Sequence, residues 1–486
     1  MGFFEGEVSN LVNIYLILIL AYAILIMSSY LFLAYLSAKE LKEYLKKNSF
    51  VDYEVLLSSE FSPALSLIAP AYNEGFTIKE NVRSLLSLNY NNYQVIVVND
   101  GSKDNSMDIL ISSYDLIPAD FTYQQTIATK PIRGVYVSKN AAFKKLVVVD
   151  KENGGKADAL NVGLNIAHNP YVVCIDVDCI LDKDSLLKLA KPFLESQGKR
   201  VIATGGVVRI ANQCVIRDGR LVEVNIPDKM LPRIQVLEYL RAFLLGRMAW
   251  GRLDGLLLIS GAFGAFDKEI AVLCGGYDTK TVGEDMELVV RMRRYMLENN
   301  TPYTVSYIPD PLCWTEAPES AAIFKKQRSR WMRGTIETLQ IHKKMFLNPK
   351  YKLLGMLSVP YWTFFEFLAP FIEFAGIVIT IAFIVLGLLN WHFFFLLLLF
   401  VYTFSVMFSV LALYTEERSY HKYRKRQDFA KMLVAALIEP IYFHPLTVYS
   451  ALLGYVEKIR GKKSWGEMTR KGFAKPEPPQ APGDTK

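Results

Sequence analysis

Hydrophobic positions follow two regimes along this chain. Near the start, and again after about residue 350, they form runs of membrane length; between these, short β-branched runs alternate with helical patterns. The first apolar run, residues 11–36, is longer than the core of a cleaved leader and follows Glu5 and Glu7 rather than a basic segment, which predicts a retained anchor. Lysines at 39–47 come next, so the bias of basic residues toward the cytoplasm predicts an outer N-terminus and an inner Lys39. In the polar stretch, strands are predicted at 65–69, 94–98, 145–149, 171–175 and 201–208, with helices at 77–88, 156–166 and 185–194. Such alternation signals an α/β sheet with helices packed on it.

Past residue 350, the segments 364–386 and 391–414 each have the length a bilayer requires. Glu366 and Glu373 within the first are expected to face protein or a watery path. A short uncharged turn at 387–390 makes the two a hairpin, and the basic loop 416–426 returns to the inside. The last apolar stretch, 432–455, is interrupted by Pro440 and Pro445 and carries Glu439 and His444 near its middle. A broken re-entrant hairpin or an interfacial helix pair is expected there, leaving the basic tail cytoplasmic. Segment 355–362 is expected along the interface, and the Pro-rich end 475–486 is expected to be disordered. The division is therefore an anchor and basic linker (1–49), an α/β domain (50–350), interfacial and transmembrane helices (351–457), and a tail (458–486).

Composition agrees with a membrane protein that has a sizeable polar domain: 51% of residues are hydrophobic and mean hydropathy is +0.19. The net charge of +7 is small for 486 residues and its basic clusters flank the apolar runs, which excludes a nucleic-acid footprint. Cys174, Cys179, Cys214, Cys274 and Cys313 have no metal-ligand spacing and are odd in number, so they read as core residues of a reducing compartment.

Charged motifs stand where predicted strands and helices meet, which is where open α/β sheets bind ligands. Asp176-Val177-Asp178 follows the run 171–175: two carboxylates one residue apart at a strand end suit one hard divalent cation, Mg²⁺ or Mn²⁺, although a lone Asp-x-Asp is more often a surface turn. Asp100, after the run 94–98, either caps a turn or reaches the base or ribose of a nucleotide. Asn153-Gly154-Gly155-Lys156 places a cation at a helix N-terminus, a natural neighbour for a diphosphate, unless the lysine is merely solvated. Gly283-Glu284-Asp285 opens another helical pattern. It is either a capping cluster or a source of general base, with Asp285 the candidate and Glu284 its neighbour. In Gln327-Arg328-Ser329-Arg330-Trp331, positions 327, 330 and 331 share one helix face, so Arg330 can pair with diphosphate oxygens and Trp331 can offer a platform to a sugar. The plainer alternative is a basic helix on the membrane, with Lys325, Lys326 and Arg328 against lipid.

Taken with Pro70-Ala71-Tyr72-Asn73-Glu74, this order of motifs resembles the membrane-embedded family 2 glycosyltransferases, which include cellulose, chitin, hyaluronan and poly-N-acetylglucosamine synthases. The likeness runs from about residue 65 to 334, and the Gln-x-x-Arg-Trp element is its most specific part. It implies an α/β domain of GT-A type on the cytoplasmic side of the cell (inner) membrane, joined to transmembrane helices. It also implies inverting transfer from a UDP-sugar, with N-acetylglucosamine or glucose as donor sugar, to a growing polysaccharide. By that likeness Tyr72, Glu74, Asp100, Lys156 and Asp176 hold the nucleotide, Asp178 holds the metal, and Asp285 deprotonates the acceptor. Gln327, Arg330 and Trp331 meet the diphosphate and the acceptor end. The implied partners are the UDP-sugar, a saccharide or lipid-linked acceptor, membrane lipid, and an export partner or second copy. The sequence departs from the pattern in having Gly283 where cellulose and poly-N-acetylglucosamine synthases carry Thr, and in segments 114–144 and 210–233, which look like extra loops. Only three or four crossings are evident. Two further readings stay open: transfer of one or a few sugars to a lipid or short acceptor, and a non-catalytic membrane subunit that binds nucleotide-sugar.

Overall fold

The computed structural model describes residues 2–59, 61–195, 198–423 and 425–462; the predicted disordered end at 475–486 lies outside them. Twelve strands are present among the described residues: β1 (Leu65–Ala71), β2 (Tyr93–Asn99), β3 (Leu116–Pro118), β4 (Ile132–Ser138), β5 (Leu146–Lys151), β6 (Tyr171–Ile175), β7 (Ile180–Leu181), β8 (Arg200–Ile210), β9 (Val215–Arg217), β10 (Arg220–Glu223), β11 (Phe263–Asp267) and β12 (Tyr303–Thr315). Ten form one sheet in the order β3-β4-β5-β2-β1-β6-β11-β8-β12-β7, and β9 and β10 form a separate hairpin. Runs such as Val95-Ile96-Val97-Val98 are fully buried, because a central parallel strand is covered by helices on both faces.

Strands β5, β2, β1 and β6 are mutually parallel, and Ala71 stands level with Asn99 and Asn99 with Asp150. The chain therefore leaves these strands on one edge, which delivers Tyr72, Asp100, the 152–155 loop and Asp176 to the same side. Beyond β6 the sheet turns mixed: β11 runs antiparallel between β6 and β8, and β12 returns parallel to β8. Two expected loops are corrected. Segment 114–144 contains β3 and β4, which extend the sheet as an antiparallel edge, and segment 210–233 contains the β9–β10 hairpin.

Among the described residues, four helices are long and apolar enough to cross a membrane: Val12–Asn48, Leu354–Val385, Trp391–Ser419 and Arg426–Ile459. Two expectations fail here. Segment 355–362 is not a separate interfacial piece. It is the first part of the Leu354–Val385 helix, which absorbs Pro360 and Pro370 with π-helical turns at Leu354–Ser358 and Thr363–Phe367. Nor is 432–455 broken, since Arg426–Ile459 is one 34-residue helix with Pro440 and Pro445 inside it; both of its ends pair with the sheet domain, Lys431 with Asp228 and Lys458 with Glu337, so the interfacial alternative is not overturned. Each proline withdraws one N–H, and side contacts hold the helix in line across the gap. Glu439 is gripped by Arg241 and by Ser409, and His444 meets Glu373 at 2.7 Å. Tyr402 donates to the Leu437 carbonyl at 3.0 Å. Glu366, by contrast, is exposed.

The membrane helices are fastened to the sheet domain by buried charges. Arg209 of β8 pairs with Glu416 at the end of the Trp391–Ser419 helix, with side chains 2% and 1% exposed. None of the five cysteines is in a disulfide, and Cys174, Cys179 and Cys313 are buried.

Candidate active site

The wall beside β1 and β2 is built from short polar residues that tie two loops together. Asn73 takes the left-handed conformation (φ +56°), a cost Asn tolerates better than most residues. Its side chain accepts from the Lys103 N–H, while Ser102 and Ser106 hydroxyls accept from the amides of Asn73 and Glu74. Tyr72 stands on this loop 45% exposed, and Glu74 accepts from the Thr77 hydroxyl. Asp100 is placed differently. It is 3% exposed, and both carboxylate oxygens are engaged: Oδ1 by Lys151 Nζ and Gly154 N, Oδ2 by Asn153 Nδ2 and Gly155 N. Burial raises its pKa, and the hydrogen bond from Lys151 works against that rise. In this arrangement Asp100 shapes the glycine loop that precedes Lys156.

The helix Lys156–Ile166 lies close on β1 because Gly163 faces Ile68; a Cβ there would be 2.1 Å from Ile68 Cγ2. That contact fixes the axis and sets Lys156, the first helical residue, at the strand edge. Lys156 pairs with Asp176, lies 3.7 Å from Glu284, and donates to the Gly261 carbonyl at 3.5 Å. Burial lowers its pKa, but the charges of Asp176 and Glu284 outweigh that and leave the ammonium raised. Asp285 accepts from the Gly261 N–H at 2.9 Å, and a Cβ at 261 would fall 3.0 Å from Asp285 Oδ2 and 3.3 Å from Lys156 Nζ. A side chain at 261 would press on both charged groups. Glu284 is 3% exposed; burial first, with Lys156 opposing and Asp285 adding, pushes its pKa up to about 7.

The third part is the helix Ala321–Ile341, which crosses the start of helix Glu284–Glu298 with Gly334 against Gly283. Arg330 comes near enough to Glu284 for its charge to hold back the rise in pKa. Gln327 lies one turn earlier, its carbonyl oxygen buried without a hydrogen-bond donor. Trp331 sits at the rim, 39% exposed. Arg328 is not a lipid-facing cation: it is buried, forms a forked pair with Glu238, and stacks 4.3 Å from the Trp331 ring. Lys156, Asp176, Glu284, Asp285 and Arg330 thus form one charged cluster, with Asp178 two residues from Asp176 and Tyr72 and Glu74 on the adjoining loops.

The donor set after β6 suits a hard cation. Ligand atoms of Asp176, Asp178 and Cys179 all lie within 4.8 Å of one another. Contact with Cys313 and burial keep the Cys179 thiol protonated, which leaves two carboxylates as the usable donors, a set that suits a hard divalent cation. Residues that no local motif announced also build the site: Lys151, which grips Asp100; Gly261, which lies between Lys156 and Asp285; and Glu337, which accepts from Thr281 and Val282 just before the acidic motif.

A mixed α/β sheet flanked by helices, with an acidic pair after β6, a lysine and a second acidic pair on one edge, is a GT-A-type domain joined here to a membrane-helical region. The chain matches two family 2 glycosyltransferase models that together span residues 66–409: "Glycosyl transferase family 2" over residues 66–252 and "Glycosyl transferase family group 2" over 171–409. Over 299 residues it is 29% identical to the poly-beta-1,6-N-acetyl-D-glucosamine synthase of Staphylococcus epidermidis, covering 61% of this chain and 60% of that protein. It is likewise 29% identical over 278 residues to the Staphylococcus aureus synthase of the same name, covering 57% and 55%. Among solved structures, a mannosyltransferase from Pyrobaculum calidifontis superposes with a TM-score of 0.48 at 15% identity, over 90% of this chain and 99% of that one.

Proposed function

We propose that this chain catalyses inverting transfer of a sugar from a UDP-sugar to a growing polysaccharide, with its sheet domain at the cytoplasmic face of the cell (inner) membrane. One observation carries the proposal. Two pairs of carboxylates, Asp176/Asp178 and Glu284/Asp285, cluster around Lys156 beside Arg330. The names of the staphylococcal relatives favour N-acetylglucosamine over glucose as the donor sugar.

Asp176 and Asp178 would hold a divalent ion, which when bound neutralises charge on the leaving diphosphate. Lys156 and Arg330 add positive charge on the other side of the same group, stabilising the charge that develops as the glycosidic phosphate bond breaks. Asp285, oriented by the Gly261 N–H, takes the proton of the acceptor hydroxyl as that oxygen attacks the anomeric carbon. Gln327 and Trp331 line the acceptor end, where the indole face receives a sugar ring. Tyr72 and Glu74 stand on the nucleotide side, and Asp100 fixes the loop that presents Lys156.

The test is UDP release by the full chain in detergent with Mn²⁺ or Mg²⁺ and a panel of UDP-sugars, together with sizing of the product. Turnover with UDP-N-acetylglucosamine and a polymeric product is expected, and Asp285→Asn is expected to bind UDP but not turn over. No UDP release with any donor overturns the proposal; a product one sugar longer than its acceptor overturns the polymer claim.

A further inference from the structure

The first turn of helix Glu284–Glu298 has no side-chain cap of its own, because its N-cap residue is Gly283. A larger residue is shut out there: a Cβ on Gly283 would lie 2.6 Å from the Cα of Gly334. The turn that carries Asp285 is held from outside instead. Glu337, on the helix Ala321–Ile341, accepts through Oε2 from the Thr281 hydroxyl at 2.7 Å and from the Val282 N–H at 2.9 Å. The Thr281 oxygen in turn accepts from the Gly283 N–H at 3.1 Å. The other oxygen, Oε1, accepts from Lys458 Nζ at 2.7 Å, and Lys458 lies in the last turn of the Arg426–Ile459 helix. Nearby contacts strengthen the same seam. Ser329 donates to Glu457, Arg333 donates to the Lys462 carbonyl at 2.8 Å, and Gly454 lies close enough to the Ser329 carbonyl that a Cβ would be 2.8 Å away.

We propose that Glu337 is a positioning residue: it fixes the 281–283 turn that presents Asp285, and through Lys458 it ties that turn to the last apolar helix. Its effect on turnover rests on the transferase proposal above; the brace itself does not. Glu337 touches neither donor nor acceptor, so its loss changes the placement of Asp285 and leaves the nucleotide side intact. Glutamine at 337 still offers its carbonyl oxygen to Val282 and Thr281, but turns its NH2 toward Lys458 and so loses both the ion pair and the hydrogen bond there.

The experiment uses the full chain in nanodiscs and compares wild type with Glu337→Ala, Glu337→Gln and Thr281→Val. Glu337→Ala is expected to lower kcat by about tenfold or more, as misplacement of a catalytic group by a fraction of an ångström does, with KM for the UDP-sugar within about twofold. Glu337→Gln is expected to recover most of kcat. Amide hydrogen exchange at 282–284 is expected to speed up in Glu337→Ala, with UDP affinity, read by competition, within about twofold of wild type. Wild-type exchange at these amides, or a parallel loss of UDP binding and kcat, overturns the proposal. If Glu337→Ala does not fold, Thr281→Val decides, since it removes the hydroxyl that relays Glu337 to Gly283: faster exchange supports the brace and unchanged exchange overturns it. If the wild type releases no UDP, the transferase proposal fails and the exchange arm still judges the brace.

Discussion

Gly283 and Gly334 meet backbone to backbone: a Cβ built on either would fall within 2.6–2.7 Å of the other's Cα. This crossing sets how closely the helix bearing Arg330 approaches the turn bearing Glu284 and Asp285. Gly334→Ala is therefore expected to force the two helices apart and to destabilise the protein by about 1–3 kcal/mol, the usual cost of overpacking a tight contact. Thermal unfolding checks this; an unchanged midpoint would show that the helices can separate freely.

Glu284 gives a pH-dependent stability that can be isolated. Burial pushes its pKa from the ordinary 4.5 up to about 7, with Lys156 opposing, Asp285 adding and Arg330 opposing. An acid whose folded pKa is raised binds its proton more tightly when folded, so stability is fullest below about 4.5 and falls as pH rises toward 7. Glu284→Gln stays neutral throughout. Its unfolding midpoint relative to wild type is expected to climb between pH 5 and pH 8, and a pH-independent difference would refute the assignment.

Lys156 sits on Asp176, one of the two candidate metal carboxylates. Replacing it with Met removes this competing cation from Asp176 and takes a positive charge from the diphosphate side. Lys156→Met is expected to bind Mn²⁺ about tenfold tighter without nucleotide, a change of about 1.4 kcal/mol, while UDP binding weakens. Titration calorimetry of the metal alone separates the two effects, and unchanged Mn²⁺ affinity would remove Lys156 as a competitor for Asp176.

The Arg209–Glu416 pair joins β8 to a membrane helix with both side chains buried. Arg209→Met strands Glu416 and is expected to cost about 3–5 kcal/mol, and a second change, Glu416→Gln, should return most of it, since an unpaired buried charge is the main penalty. Unfolding of the single and double variants measures this. Equal stability of the two would contradict it.

What the sequence made legible follows from burial on both faces. Strands 171–175 and helices 156–166 and 185–194 form with the predicted bounds, and β1, β2 and β8 extend only one or two residues past theirs. β12 escaped because Pro309 and Pro311 argue against a strand; the sheet takes them at irregularities in register between Ile308 and Cys313. β4 and β11 were not among the predicted strands; each is interrupted by a glycine, Gly134 or Gly264. The unbroken Arg426–Ile459 helix was hidden for a different reason: its prolines are local, while the contacts of Glu439 and His444 come from Arg241 and Glu373, far away in sequence. In the site, charges that follow strands or open helices stood out by position. Lys151, Gly261 and Glu337 did not, because their roles come from partners 51, 24 and 55 residues away.

The seam along Gly454, Glu457 and Lys458 closes one end of the Arg426–Ile459 helix on the domain that carries Arg330, and Lys431 closes the other end on Asp228. A helix held at both ends by one domain moves with it, so this apolar helix and the candidate site form a single mechanical unit.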